Sequence, residues 1–274
     1  MELTYTVTID NPHYGKTEDV EIAKTVQQFG QDKVVVLQEG RDLGGTPYAG
    51  CTDMWLSIGG YEGDRTSIIH PRDRQLDMGW WCINDANAYY CRGLIRFKLA
   101  ALNGKRIKQA WLKFSIRPGQ NYQPAEMKGP MPVYPLLKEW KEAPKTTWVD
   151  ERKMGVGLPN VHYHAFPAKW EKPLASGASD RGPEMAVLEG EKGVNLLHGA
   201  KADVTKLVQD MAAGKLPNYG FLIGKDLPEE LAQDHPKKHM DAYKKLYEHG
   251  SIPFFSKDEP DDKDFRPRLI VVLE

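Results

Sequence analysis

Residues 92–117 read RGLIRFKLAALNGKRIKQAWLKFSIR, and the pattern inside this stretch sets the fold class. Gly93, Ile95, Phe97 and Leu99 alternate with Arg92, Leu94, Arg96 and Lys98. Further on, Ala110, Leu112, Phe114 and Ile116 alternate with Gln109, Trp111, Lys113, Ser115 and Arg117. Successive side chains of a strand point to opposite faces, so a period of two assigns the first set of each run to a buried face and the second to solvent. Asn103-Gly104 between the runs is a turn signal. The stretch is therefore expected to be two paired strands. Pairing would gather Arg92, Arg96, Lys98, Lys113 and Arg117 on one outer face around Trp111, which suits an anionic sugar chain. A solvated sheet face, with Trp111 under a loop, is the plainer reading of the same pattern.

Outward from this stretch, strand patterns recur. Leu3, Tyr5, Val7 and Ile9 alternate with Thr4, Thr6 and Thr8 until Asn11-Pro12. Residues 18–30 fit either a second strand or a short helix. Residues 34–37 are a continuous apolar run, and 54–58, 67–70, 133–137, 219–223 and 268–273 read as further strands. An aromatic-rich segment, 79–91, precedes the central stretch. Two short helices are expected at about 203–213 and 236–249. The first has Asp203 as cap, Val204, Leu207, Val208 and Met211 as one stripe, and Gly214 as stop. The second starts at Pro236, carries Met240, Tyr243 and Tyr247, and ends at Gly250. Residues 150–200, rich in Gly, Pro, Lys and Ser, read as a long insertion or binding loop. The expectation is an all-β chain: a jelly-roll β-sandwich over 31–274 with a long loop insertion and two short helices, preceded by an N-terminal extension, 1–30.

Composition narrows the function classes. The 274 residues hold 37 Lys plus Arg against 38 Asp plus Glu, a net charge of −1, so no global field favours nucleic acid or a membrane surface. No apolar run is long enough to span a bilayer. The opening MELTYTVTID is polar and alternating, unlike a signal peptide. Either the protein is cytoplasmic, or Met1 follows a removed leader. Of three cysteines, Cys82 and Cys91 are near enough in sequence to close a small disulfide loop, as in a secreted protein; three reduced thiols with Cys51 are the alternative.

A series of short motifs resembles the disaggregatase-related module, or DNRLRE domain, which is similar to carbohydrate-binding module family 96. The series runs Tyr48-Ala49-Gly50-Cys51-Thr52-Asp53, Leu94-Ile95-Arg96-Phe97 and Ile107-Lys108-Gln109-Ala110-Trp111-Leu112. It continues through Val133-Tyr134, Trp140 with Thr147-Trp148, Asp203-Val204-Thr205, Asn218-Tyr219-Gly220-Phe221, Ser256 with Glu259, and Arg266-Pro267-Arg268-Leu269. These pieces span about residues 33–274. The resemblance implies a jelly-roll sandwich attached to secreted polysaccharide-degrading enzymes or to cell-surface proteins, with some members binding acidic polysaccharides through basic residues on a sheet face. It also implies a structural Ca²⁺, for which Asp53, Glu39 and Asp258 are the candidate ligands, although an Asx turn at Asp53 and a solvated acidic loop at 258–264 account for the same residues.

Other chemistry is sparse. His162 with His164, and His235 with His239, have spacings that zinc ligands use, but no HExxH accompanies them. No nucleophile elbow, phosphate-binding loop or dinucleotide fingerprint is present. Trp80, Trp111 and Tyr89 are candidate sugar platforms, and Trp140 and Trp148 candidate core residues. The reading is a non-catalytic carbohydrate-binding module for an acidic polysaccharide or cell-surface glycan, at an extracellular or cell-surface location, with no nucleic acid partner. The alternatives are a self-associating structural subunit of an extracellular assembly and a polysaccharide lyase or glycosidase.

Overall fold

The computed structural model describes residues 9–11, 15–17, 20–61, 66–71, 74–84, 87–117, 127, 129–142, 156–191, 199–226, 252–261 and 263–274. The expected strand over 2–8, the helix over 236–249, Trp148 and the His235–His239 pair lie outside these residues.

The elements in chain order are β1 (Ile9–Asn11), β2 (Gly15–Thr17), α1 (Val20–Phe29), β3 (Val34–Gln38), β4 (Cys51–Tyr61), β5 (Thr66–Pro71), β6 (Gln75–Asn84), β7 (Asn87–Phe97), β8 (Ile107–Ser115), β9 (Met131–Pro135), β10 (Tyr163–Ala165), β11 (Ala168–Lys169), β12 (Ala186–Glu191), β13 (Gly199–Asp203), α2 (Thr205–Ala212), β14 (Phe221–Ile223), β15 (Ile252–Phe255) and β16 (Arg268–Leu273). The main sheet runs β15-β6-β7-β14-β9-β12-β13-β8-β16-β3, with β4 on the other edge of β7 and β5 beyond it. Its pairs are antiparallel. The sheet curls until a bridge from Ile116 to Phe254 joins the end of β8 to β15, and Phe114 meets Phe254 with ring centroids 5.3 Å apart. The architecture is all-β and sandwich-like, as the alternating runs imply.

β8 keeps the alternation read from its sequence: Ala110, Leu112 and Phe114 are buried in the core, while Lys108 is exposed and Gln109, Trp111 and Lys113 are half-buried. β7 and β8 do not pair with each other. β7 gives one edge to β4 and shares the other between β6 and β14, while β8 lies between β13 and β16. Residues 98–106 are too long for a tight hairpin. They form a helical turn, Ala100–Leu102, and then Gly104 takes a φ of 72° that its missing side chain permits.

Both outer faces of the sheet carry cover that alternation alone does not reveal. Over β16 and β3, α1 sets Ile22 against Val36 and Ile270, with Val26 and Trp111 beside them. Over β7, the cover is the segment 156–185. This segment is not structureless: it holds the β10–β11 hairpin and a turn at Pro173–Ala175, and leads into β12, which pairs with both β9 and β13. Asp180, fully buried, staples it. Its carboxylate accepts hydrogen bonds from the backbone N–H groups of Glu171 (2.7 Å), Lys172 (3.1 Å) and Gly177 (3.0 Å), and Lys138 Nζ lies 2.7 Å away.

Candidate functional site

The basic face expected on residues 92–117 does not assemble. Arg92, at 0% exposure, is buried: its Nη1 donates to Leu174 O and Ser176 Oγ (3.0 Å each) and its Nη2 to Gly224 O (2.9 Å). The reason is the cover over β7, which turns the outer face of this strand into a second interior. Arg96 lies over the buried Trp140 ring, 5.6 Å from its centroid. Lys98 is exposed, at the end of β7. Trp111 packs beneath α1 with Lys201 Nζ 5.0 Å from its ring centroid, so it is no open platform. Lys113 Nζ pairs with Glu191 at 3.4 Å. Arg117 donates to Gln75 Oε1 at 3.2 Å and stands over Phe255. Trp80 and Tyr89 belong to the paired strands β6 and β7, with side chains outside the described residues. The register also corrects the Cys82–Cys91 bridge. Cys82 stands opposite Ala88 and Cys91 opposite Gly79, too far apart along the strands to link, and Cys91 is a buried thiol. His164 Nδ1 is 2.8 Å from Glu139 O and its ring packs on Trp170, which leaves it a local structural role.

A first charged centre collects two of the three expected metal ligands. Asp53 on β4 accepts a hydrogen bond from Lys257 N–H (2.7 Å). Carboxylate oxygens of Asp53, Glu142 and Asp258 lie within 4.8 Å of one another. Glu39 is not a member, because its Oε2 accepts the Cys51 N–H instead (3.0 Å). Lys257 Nζ sits among the carboxylates, 3.0 Å from Glu142 Oε1 and 2.9 Å from both oxygens of Asp258. Ca²⁺ requires about six to eight oxygens and no competing cation. This set, with an ammonium in its midst, does not fit it, and the lysine itself supplies the countercharge. Burial pushes Asp53 and the Cys51 thiol well up, so Cys51 is a poor nucleophile, and burial raises Glu142 to about 7. Burial opposes the Lys257 ammonium, but hydrogen bonds and charge from Asp258 and Glu142 outweigh it and hold the group protonated.

A second centre has the opposite balance. On the outer face of β9 and β12, beside the residues that follow β14, Pro130, Pro132, Tyr134, Glu184, Val187, Lys225 and Asp226 line an open pocket of about 340 Å³. Strand periodicity explains the lining. Met131 and Val133 of β9 enter the core, so Pro132 and Tyr134 face outward; on β12, Ala186 and Leu188 point in and Val187 out, opposite Pro132. Behind the pocket, the Arg181 guanidinium lies 3.8 Å from the Tyr134 ring centroid and that of Arg92 5.5 Å from it. Asp226 joins the two arginines: its Oδ1 is 3.4 Å from Arg92 Nη1, and its Oδ2 accepts from Arg181 Nη2. Burial raises the Tyr134 hydroxyl above its ordinary value, with the nearby Asp226 charge adding to the effect. Leu174, whose carbonyl receives Arg92, and Ala175 both hold left-handed backbone, with φ of 59° and 56°, a strained conformation for residues with a Cβ. Residue patterning picks out Arg92 but not its role, and nothing in the sequence links positions 92, 134, 181 and 226.

No family model matches the chain, and no curated protein is significantly similar to it. Among the described residues, no helix is long and apolar enough to cross a membrane.

The first centre makes stability depend on pH. A carboxyl raised from 4.5 to about 7 by folding binds its proton more tightly in the native state, so its contribution is largest below 4.5 and is lost as pH rises through 7. Thermal melts between pH 4.5 and 8 should show the wild type losing stability relative to Glu142→Gln as pH rises, and parallel curves would contradict the assignment.

Proposed function

We propose that the protein is a non-catalytic carbohydrate-binding module for an acidic polysaccharide. It grips the chain at the Tyr134–Asp226 pocket rather than along residues 92–117. The observation that carries this reading is the pairing, in one small open pocket, of an apolar wall (Pro130, Pro132, the exposed Val187) with charged rim groups (Glu184, Lys225, Asp226) and two guanidiniums behind. A sugar ring presents apolar C–H faces and hydroxyl edges, and a uronate or sulfated unit adds an anion that Lys and Arg recognise by charge-assisted hydrogen bonds. A volume of about 340 Å³ stands at the small end of ligand pockets, enough for about one sugar unit of a longer chain. The motif series resembling the DNRLRE module supports the same reading, and with it an extracellular or cell-surface location.

Lys225→Glu should cut retention on an anionic polysaccharide gel at least about tenfold, the cost of one charge-assisted contact, and Val187→Glu should cut it similarly by setting a like charge against the anion, neither lowering Tm. Arg96→Glu should leave retention largely intact. Undiminished retention of both pocket variants would refute the site.

A second reading, a self-associating structural subunit, is favoured by β3. Among the described residues this strand pairs only with β16, and its other edge borders a groove of about 850 Å³ that α1 also lines through Ile22 and Val26. Unpaired edges invite strand addition from another chain. On this reading, sedimentation would show concentration-dependent assembly that Val35→Lys abolishes; a monomer at all concentrations would exclude it.

A further inference from the structure

The Tyr134–Asp226 pocket holds more positive charge behind it than its partners balance. Arg92 and Arg181 have side-chain exposures of 0% and 15%, and among the described residues they share one carboxylate, Asp226, which is 42% exposed. Burying two like charges against a single counter-ion is costly. Hydrogen bonding at the same spot is also incomplete: Arg92 Nε, Arg181 Nε and Asp226 Oδ1 are buried polar atoms without a hydrogen-bond partner among the described residues. Unsatisfied donors on a fully buried guanidinium mark a place where another acceptor belongs. Asp226 is also the only one of the three that lines the pocket, so it stands between the arginine pair and the ligand space. Its side chain is half-exposed, so it can turn toward solvent while the backbone before it stays fixed. Gly224, two residues before, is anchored by its N–H to Pro132 O (3.1 Å) and by its carbonyl to Arg92, and its φ of 124° makes the bend that precedes Lys225 and Asp226.

We infer that Asp226 is an internal stand-in for a ligand anion: the space between Arg92 and Arg181 is a seat for a single oxyanion group, which Asp226 fills until a ligand carboxylate or sulfate displaces it. The inference rests on the pocket being the ligand site. It adds that the resident carboxylate competes with the ligand, so removing its charge strengthens anion binding. No bond is made or broken; one carboxylate exchanges for another anion on the same two guanidiniums.

The test uses the full chain and small anions, so its outcome is separate from polysaccharide retention. Asp226→Asn should melt below the wild type, because the buried arginines lose their counter-ion. Sodium sulfate or sodium glucuronate, but not sodium chloride at equal ionic strength, should restore it saturably, with half-restoration at least tenfold below any concentration that shifts the wild type. Restoration by glucuronate points to a uronate and by sulfate alone to a sulfate ester. Asp226→Asn/Arg181→Gln should not be restored. Equal shifts in wild type and variant, or restoration that survives loss of Arg181, would overturn the seat. If Asp226→Asn does not fold, wild-type crystals soaked in selenate provide the second measurement. An anomalous peak between Arg92 and Arg181 with Asp226 turned outward is expected, and no peak there would overturn the inference.

Discussion

Burial of the Arg92 guanidinium is the constraint on which the upper face of this molecule depends. A buried cation is tolerated when it is paired and most of its donors are met. Here the acceptors come from segments remote in sequence: Leu174 and Ser176 in the cover, Gly224 just after β14, and Asp226 as counter-ion. The cover cannot lift from β7 without stranding that charge. The left-handed backbone at Leu174 and Ala175 is the local cost of aiming a carbonyl at it. Because Arg92 and Arg181 both lie against the Tyr134 ring and both pair with Asp226, the pocket is built on the clamp rather than added to it.

The two charged centres differ in a way that bears on function. Around Lys257, one ammonium is surrounded by Asp53, Glu142 and Asp258; burial, with the neighbouring carboxylates adding to it, raises Asp53 and Glu142 toward their neutral forms against the pull of Lys257. That centre regulates its own charge and ties β4 to the loop before β16. Around Asp226, positive charge is in excess and resides on arginines, which do not lose their protons under ordinary conditions. Such a centre balances its charge by acquiring an anion, which is why the pocket and not the acidic cluster is read as the place a ligand goes.

How much of this was legible follows from where each signal resides. A strand covered on one face writes its environment into its own alternation, and β8 shows it at Ala110, Leu112 and Phe114. Residues 269–273 of β16 and 34–37 of β3 are continuously apolar because both faces are covered, and α2 declared itself by its stripe of Leu207, Val208 and Met211. β7 misled, since Arg92 looks like a solvent residue until a segment more than sixty residues later is laid over it, and Arg96 until the Trp140 ring comes beside it. β12 was hidden because the alternation of Ala186, Val187 and Leu188 is brief and followed by Glu and Gly. The site was less legible than the fold. Asp53 stood out as a carboxylate in a loop motif, yet its partners Glu142 and Lys257, like the partners of Arg92, are set by tertiary contact alone.

The most direct measurement of the clamp is hydrogen exchange on Arg92→Lys. Lysine keeps the charge but lacks the planar fork that reaches Leu174, Ser176 and Gly224 together. Amide protection over residues 171–182 should fall at least tenfold while that of β8 and β16 is retained. Equal protection of 171–182 in variant and wild type would show that the cover is held by something other than this buried guanidinium.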